Sequence, residues 1–205
     1  MGPISVIDAR AYVRRWRHTF PHAPASMCLT IMEIESGFHA DAHSQADAWG
    51  LMQVLVPTAA DMVARAQILL DAGRVPLDDQ AQFRFTLSLW NPTSNGSCLA
   101  DPALGSLCGV AYLDHLAVVF GPNLDKLAAA YHNGPGFLKK FLAEGKSIPA
   151  DMPPKGKAYV EKARLVWLKY RNADGDAFDD DDDKVTPARG VPIATGNTKK
   201  AGTTT

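Results

Sequence analysis

Glu35 is the residue in this sequence whose type and position best suit proton transfer. It follows Cys28, Ile31 and Met32 at helical spacing, so a carboxyl group continues an apolar stripe. Burial against such a stripe disfavours the charged form and raises the pKa of a glutamate from about 4.3 towards neutrality, which suits a general acid. An acid of this kind can protonate the departing oxygen of a glycosidic bond, although the spacing alone is more typical of a half-exposed carboxylate at a helix end. Glu33 points to another face of the helix and is expected to be solvated.

Three more short segments accompany Glu35 in a fixed order. The four segments, in chain order, are Ile34-Glu35-Ser36-Gly37-Phe38, Gly50-Leu51-Met52-Gln53-Val54, Ala130-Tyr131-His132-Asn133-Gly134-Pro135-Gly136 and Tyr159-Val160. Over roughly Pro24 to Tyr170, this combination resembles the lysozyme-like domain of the soluble lytic transglycosylases, which cut the glycan strands of peptidoglycan. The resemblance implies a mainly α-helical fold of the α+β lysozyme-like kind, with a helical bundle around a substrate cleft and a small β-hairpin region.

The resemblance also implies a reaction in which water does not attack. In the family, one glutamate is the only catalytic carboxylate, and it acts first as acid and then as base on the MurNAc-β-1,4-GlcNAc bond. The sugar's own C6 hydroxyl closes onto the anomeric carbon, with help from the N-acetyl group, and leaves 1,6-anhydro-muramyl ends. Glu35 takes this role here, and neither a cofactor nor a metal is expected.

Further site residues are assigned by matching the family's motifs. The substrate-binding positions are Ser36, Met52, Gln53, Tyr131, His132, Asn133 and Tyr159. Tyr131 matches the tyrosine whose hydroxyl contacts the catalytic carboxylate, and Gln53 is expected to hydrogen-bond the sugar. For Met52, core packing is an almost equally strong alternative. The family usually has Asn-Ala where this chain has His132-Asn133, so either of these residues could replace the family's sugar-binding Asn.

Two other functions stay open at this stage. Asp47 precedes the Gly50–Val54 segment, where goose-type lysozymes place carboxylates near the water, so Asp47 could hold a water for an inverting hydrolase. The altered His132-Asn133 segment instead motivates a wall-binding or assembly component that has lost its activity. A solvated loop position is the simpler interpretation of Asp47, and the transglycosylase is the favoured prediction.

The segment from Gly96 to Cys108 is additional to the family's usual pattern. It belongs to a stretch, residues 90–108, whose Asn-Pro, Asn-Gly and Asp-Pro pairs predict a polar loop. Cys98 and Cys108 bracket the addition at a spacing that suits a disulfide, which would stabilise the fold by about 3 kcal/mol and fit an oxidising setting. The alternative is two free thiols in a loop, and Cys28 is expected to be a separate buried thiol.

Composition and charge exclude several classes of function. A chain of 205 residues with a net charge of −1 has no broad electrostatic footprint for nucleic acid. No apolar run reaches the roughly 18 residues of a membrane span. The first 20 residues carry four arginines and lack the apolar core of a secretory signal. The expected partner is peptidoglycan, met in the periplasm or cell envelope, or as part of a phage particle or of a secretion or conjugation apparatus.

Three segments are expected along the chain. Residues 1–22 form an N-terminal helix packed on the domain, residues 23–172 form the catalytic domain, and residues 173–205 form a disordered tail. The tail is acidic and of low complexity, and it offers too little apolar surface to offset its ordering entropy. Apolar periodicity and capping residues predict helices near residues 5–20, 26–37, 58–72, 78–89, 110–120, 124–132, 135–142 and 159–170.

Overall fold

Eight α-helices and one β-hairpin make up the part of the chain that the computed structural model describes, residues 2–173. The helices are α1 (Val6–Arg17), α2 (Ala25–Ser36), α3 (Val56–Asp71), α4 (Leu77–Ser88), α5 (Pro102–Phe120), α6 (Leu124–Asn133), α7 (Pro135–Ala143) and α8 (Pro154–Ala173). The strands β1 (Ala48–Trp49) and β2 (Val54–Leu55) pair antiparallel, with Trp49 opposite Val54. This is the mainly α-helical architecture with a small hairpin that the sequence predicts.

α5 is the central helix of the domain. It packs against α1, α2, α3, α4 and α6, and most of its side chains between Leu104 and Ala117 are therefore buried. By length and mean hydropathy alone, α5 is long and apolar enough to cross a membrane, but 67% of its apolar window is buried inside the domain. α5 is accordingly the core helix around which the other elements are placed.

Local capping sequences set the ends of the helices that frame the site. Ser5 accepts a hydrogen bond of 3.1 Å from the backbone N–H of Asp8 and is therefore the N-cap residue of α1. Gly37 ends α2 in the left-handed conformation (φ 58°, ψ 34°), which glycine adopts without steric cost. Gly134 ends α6 and Pro135 begins α7, as the Gly-Pro pair predicts.

Residues 90–108 do not form the predicted polar loop. A short 3-10 helix spans Ser97–Ala100, and α5 already begins at Pro102. The Asp101 carboxylate accepts the backbone N–H groups of Ala103 and Leu104 at 2.9 and 3.0 Å, and proline occupies the first helical turn. The Asp-Pro pair is thus a helix cap followed by a helix start, a role for which these residue types are as well suited as they are for a turn.

The disulfide predicted between Cys98 and Cys108 is wrong, because both residues are free thiols in the structure. Cys108 lies within α5 and is fully buried, whereas the Cys98 thiol donates to the carbonyl oxygen of Asn91 at 3.7 Å. Burial raises the pKa of the Cys108 thiol well above its usual range. The thiolate that disulfide formation requires is therefore strongly disfavoured at this position. Cys28 is a buried thiol, as predicted.

The N-terminal helix is attached to the core of the domain. The Trp16 indole N–H donates to the hydroxyl of Ser106 on α5 at 2.8 Å, and both side chains are buried. The backbone N–H of Ile4 donates to the carbonyl of Phe38, just beyond α2. The predicted tail, residues 173–205, lies outside the described residues except for Ala173, the last residue of α8.

Candidate active site

Glu35 lies in the last turn of α2, where α8 crosses it. The phenol O–H of Tyr159, in α8, donates to Glu35 Oε1 at 2.5 Å. The two helices are fastened together further along, since the Trp167 indole N–H donates to the Ser26 hydroxyl at 2.9 Å. This packing of α2 on α8 fixes the direction in which the Glu35 carboxyl group points.

Burial dominates the electrostatics of Glu35. The side chain is half-buried, and desolvation raises the pKa of Glu35 above its ordinary value of 4.5. The hydrogen bond from Tyr159 and the positive charge of Lys162, both on α8, oppose this shift without cancelling it. The direction of the shift is the one that the apolar stripe of α2 predicts.

Glu33 is not the solvated residue that the sequence suggests. The Lys169 ammonium group donates to both of its carboxylate oxygens, at 3.0 and 2.8 Å, and the Tyr170 hydroxyl donates to the same carboxylate. Burial alone would raise the pKa of Glu33, but the donors Lys169 and Tyr170 prevail and lower it. Glu33 therefore binds α2 to the C-terminal part of α8 and carries its charge at neutral pH.

Replacing Glu35 with Gln should stabilise the fold by an amount that grows with pH. The folded-state pKa of Glu35 lies above its ordinary value of 4.5, so its contribution to stability is complete below pH 4.5 and declines as the pH rises through the folded-state pKa. Glutamine carries no charge at any pH. The gain in free energy of unfolding should therefore be smallest at pH 4 and largest at pH 8, above the folded-state pKa. Thermal denaturation between pH 4 and 8 measures it.

Glu33→Gln is the matched control for this experiment, with the opposite sign. The pKa of Glu33 is lowered, so its stabilising contribution is present at neutral pH and is lost as the pH falls through the folded-state pKa. Glu33→Gln should therefore be less stable than the unmodified protein at pH 7, and the gap should close in acid. A Glu35→Gln difference that does not change with pH would contradict a buried, titrating Glu35.

Ser36 and Gln53 use their donor groups to hold the hairpin. The Ser36 hydroxyl lies 3.1 Å from the carbonyl oxygen of Met32 and 2.8 Å from that of Leu51. The Gln53 amide NH₂ donates to the carbonyl oxygens of Ala42 and Gly50, at 3.0 and 3.1 Å. The Ser36 bond to Leu51 connects the end of α2 to the turn between β1 and β2, and the Gln53 bonds hold this turn together and to the preceding loop. The amide oxygen of Gln53 is the part of this side chain that could accept a hydrogen bond from a ligand.

Tyr131 and Met52 make contacts other than those that the resemblance implies. The Tyr131 hydroxyl donates to the carbonyl oxygen of Met52 at 2.8 Å, and Tyr159 is the tyrosine that donates to Glu35. The Met52 side chain is fully buried against Gly109 of α5, where an added Cβ would come within 2.3 Å of its sulfur. Met52 therefore packs in the core. Burial, and secondarily the charge of Glu35, raise the pKa of Tyr131 well above its ordinary value.

A cleft of about 270 Å³ lies beside these residues. It is lined by Gln53, Val54, Leu55, Thr58, Tyr112, Tyr131, His132, Asn133 and Gly134. The structure thus brings together four predicted site residues from the hairpin and from α6. Tyr112 was missed from the sequence; its ring lies 5.3 Å from the ring of Tyr131. The signal that could have found it is an aromatic side chain with a hydroxyl beside the apolar stripe of Val110, Leu113 and Ala117.

His132 and Asn133, which replace the family's Asn-Ala, have different surroundings. The His132 ring stacks on the Tyr159 ring with centroids 4.3 Å apart and planes inclined by 16°. The Asn133 amide NH₂ donates to the carbonyl of Ala129 at 3.1 Å, and its side chain faces Gly156 at the start of α8. The wall of the cleft is therefore connected to Glu35 through the His132–Tyr159 stack.

Asp47 lies on the exposed side of the hairpin. Its side chain is 78% exposed, and Oδ1 lies 2.8 Å from Nε2 of His43. The His43 ring in turn stacks on Trp49, with centroids 3.7 Å apart. This arrangement gives Asp47 a surface partner and no described contact with Glu35. Within residues 2–173, the structure brings together no cluster of three metal-ligating side chains.

The chain is similar to known proteins in sequence and in fold. Residues 13–150 match a family model described as the transglycosylase SLT domain. The membrane-bound lytic murein transglycosylase C of Shigella sonnei (strain Ss046) is 31% identical over 134 residues, which are 62% of this chain and 32% of that protein. The chain thus spans about a third of the length of this relative. The crystal structure of the 70 kDa soluble lytic transglycosylase of Escherichia coli aligns with a TM-score of 0.60 at 23% identity, over 86% of this chain and 25% of that one.

Proposed function

This chain belongs to the transglycosylase SLT domain family, and from that membership we propose that it is a peptidoglycan lytic transglycosylase. The bond cleaved is MurNAc-β-1,4-GlcNAc, the products carry 1,6-anhydro-muramyl ends, and Glu35 is the single general acid/base. The observation that carries the proposal is the Glu35 carboxyl group, whose pKa is raised by burial and which accepts the Tyr159 hydroxyl. The name of the Shigella relative, a lytic murein transglycosylase, supports the same substrate.

The proposed reaction needs no residue besides Glu35 for proton transfer. The protonated carboxyl group donates its proton to the glycosidic oxygen as the bond from that oxygen to C1 breaks, while the N-acetyl oxygen of the muramyl sugar assists at C1. The Glu35 carboxylate then takes the proton of the C6 hydroxyl, whose oxygen bonds to C1 and displaces the acetamido oxygen. Glu35 is protonated again at the end, and no water is consumed.

The residues around the cleft are proposed to bind the glycan strand. Gln53 accepts a hydrogen bond from a sugar hydroxyl or N–H with its amide oxygen, and Asn133, which lines the cleft, faces the sugar at the position of the family's Asn. Tyr131 and Ser36 act by fixing the hairpin through the carbonyl oxygens of Met52 and Leu51. The catalytic domain is proposed to span residues 23–172, with residues 1–22 packed on it. Its site of action is the cell envelope, and delivery by a phage particle or a secretion or conjugation apparatus stays a prediction.

Release of soluble fragments from purified peptidoglycan tests this proposal against its alternatives. We expect release by the unmodified protein, and we expect Asp47→Asn to keep it within about twofold, because Asp47 is exposed and paired with His43. If Asp47 activated a water, Asp47→Asn would instead lower the rate of fragment release by on the order of 10²-fold or more. Absence of release from a folded protein would leave a wall-binding role and overturn the proposal.

A further inference from the structure

The stack of His132 on Tyr159 joins three helices at the candidate active site. His132 is in the last turn of α6, Tyr159 is in the first half of α8, and Tyr159 donates to Glu35 at the end of α2. The near-parallel rings, 4.3 Å apart at 16°, cover one face of the phenol. A ring held on its face keeps fewer rotamers, so its hydroxyl stays where the acceptor is.

We propose that His132 is a positioning residue, whose ring holds the Tyr159 hydroxyl against the Glu35 carboxyl group. The inference deepens the proposed function and rests on it for its kinetic consequences. It assigns to His132 an action through Tyr159 that is separate from hydrogen bonding to a sugar. The flat aromatic ring of His132 then positions Tyr159, and the ring nitrogen atoms are not needed for this role.

The electrostatics of the site fit this assignment. Burial, and then the charge of Lys155, lower the pKa of His132, so its ring is neutral near pH 7. The groups that act on Glu35 are Tyr159 and Lys162 on α8, and the Glu35 charge acts in turn on Tyr131 of α6. The Tyr159 hydrogen bond lowers the pKa of Glu35, so loss of a well-placed hydroxyl leaves burial less opposed and raises it further.

Replacement of His132 by Phe, Asn and Ala separates stacking from hydrogen bonding. Phe keeps an aromatic ring of similar size and no charge, whereas Asn is the residue of the family's usual pattern and cannot cover the phenol face. We expect His132→Phe to keep the Glu35 pKa and kcat of the unmodified protein. His132→Asn and His132→Ala should raise the Glu35 pKa and lower kcat about tenfold, with KM within about twofold, because misplacement of a catalytic group costs rate before it costs binding.

The Glu35 pKa is measured by NMR titration of its side-chain carboxyl carbon, which does not depend on activity. Tyr159→Phe gives the shift for complete loss of the hydroxyl, and adding His132→Ala to it should cause no further shift. His18→Ala, at an exposed histidine paired with Asp79, is the control and should leave the Glu35 pKa unchanged. Thermal denaturation verifies that each variant is folded.

Two results would overturn the inference. One is a Glu35 pKa that is the same in His132→Ala as in the unmodified protein. The other is full activity of His132→Asn combined with a raised KM in His132→Phe, which would assign His132 to hydrogen bonding with the sugar. If the unmodified protein released no fragments, the proposed function would fail, but the titration would still decide whether the stack positions Tyr159.

Discussion

Replacing Glu35 with Gln is expected to lower the release of fragments from peptidoglycan by about 10³-fold, within the range assigned to general acid-base catalysis. Glutamine has the size of the protonated carboxyl group and keeps an oxygen to accept the Tyr159 hydroxyl, which lies 2.5 Å from Glu35 Oε1. It cannot give up a proton to the departing oxygen or take one from the C6 hydroxyl. The variant should therefore bind glycan strands and remain folded while the chemistry is lost.

Glu33→Gln makes the same chemical change two residues away on the same helix and is the matched control. Glu33 binds Lys169 and Tyr170, so its replacement should lower the free energy of unfolding and leave kcat within about threefold at a temperature where the variant is folded. Initial rates of fragment release, with each variant verified by its circular dichroism spectrum, measure both effects. Equal losses of activity in the two variants would show that charge on α2, and not an acid at Glu35, supports the reaction.

Gly50→Ala is expected to destabilise the fold strongly. Gly50 has a φ of +78°, and an added Cβ would lie 2.3 Å from the carbonyl oxygen of Leu99. Left-handed backbone costs a non-glycine residue roughly 1–2 kcal/mol, and overpacking costs roughly 1–3 kcal/mol. We therefore expect a loss of about 3 kcal/mol in the free energy of unfolding, measured by urea denaturation.

Gly73→Ala separates these two causes. Gly73 also has a positive φ, +66°, but an added Cβ would meet nothing within 4 Å. Its replacement should cost about 1 kcal/mol, the conformational part alone. The difference between the two variants isolates the packing of Leu99 on the hairpin, and equal losses would contradict this contact. The same carbonyl oxygen lies 2.5 Å from an added Cβ at Gly105, so the additional segment is fitted between the hairpin and α5.

Much of the helical framework could be predicted from the sequence, because caps and apolar periodicity are local. Ser5, Gly37 and the Gly134-Pro135 pair end or begin helices where their types indicate. The start of α5 was missed because Asp101-Pro102 suits both a turn and a helix cap. The choice depends on whether the following residues are buried, and this is a property of tertiary packing. The prediction of a disulfide was wrong for the same reason, since Cys108 is a core residue of α5.

The sequence could predict which residues belong to the candidate site better than it could predict the contacts between them. Glu35 could be identified because three further segments accompany it in a fixed order, and the direction of its pKa shift followed from burial against the apolar stripe of α2. Which of two tyrosines reaches it could not be predicted, because Tyr131 and Tyr159 belong to different helices and the crossing of α8 on α2 decides the matter. The His132 stack likewise depends on how α6 approaches α8.

The mass of the muropeptides released from purified peptidoglycan tests the central claim most directly. If Glu35 is the single acid/base and the C6 hydroxyl closes the ring, the released muramyl ends should be lighter than reducing ends by one water. Glu35→Gln should release none of these products. Reducing ends would contradict this account, because water would then have attacked the anomeric carbon and a second group, such as Asp47, would have had to activate it.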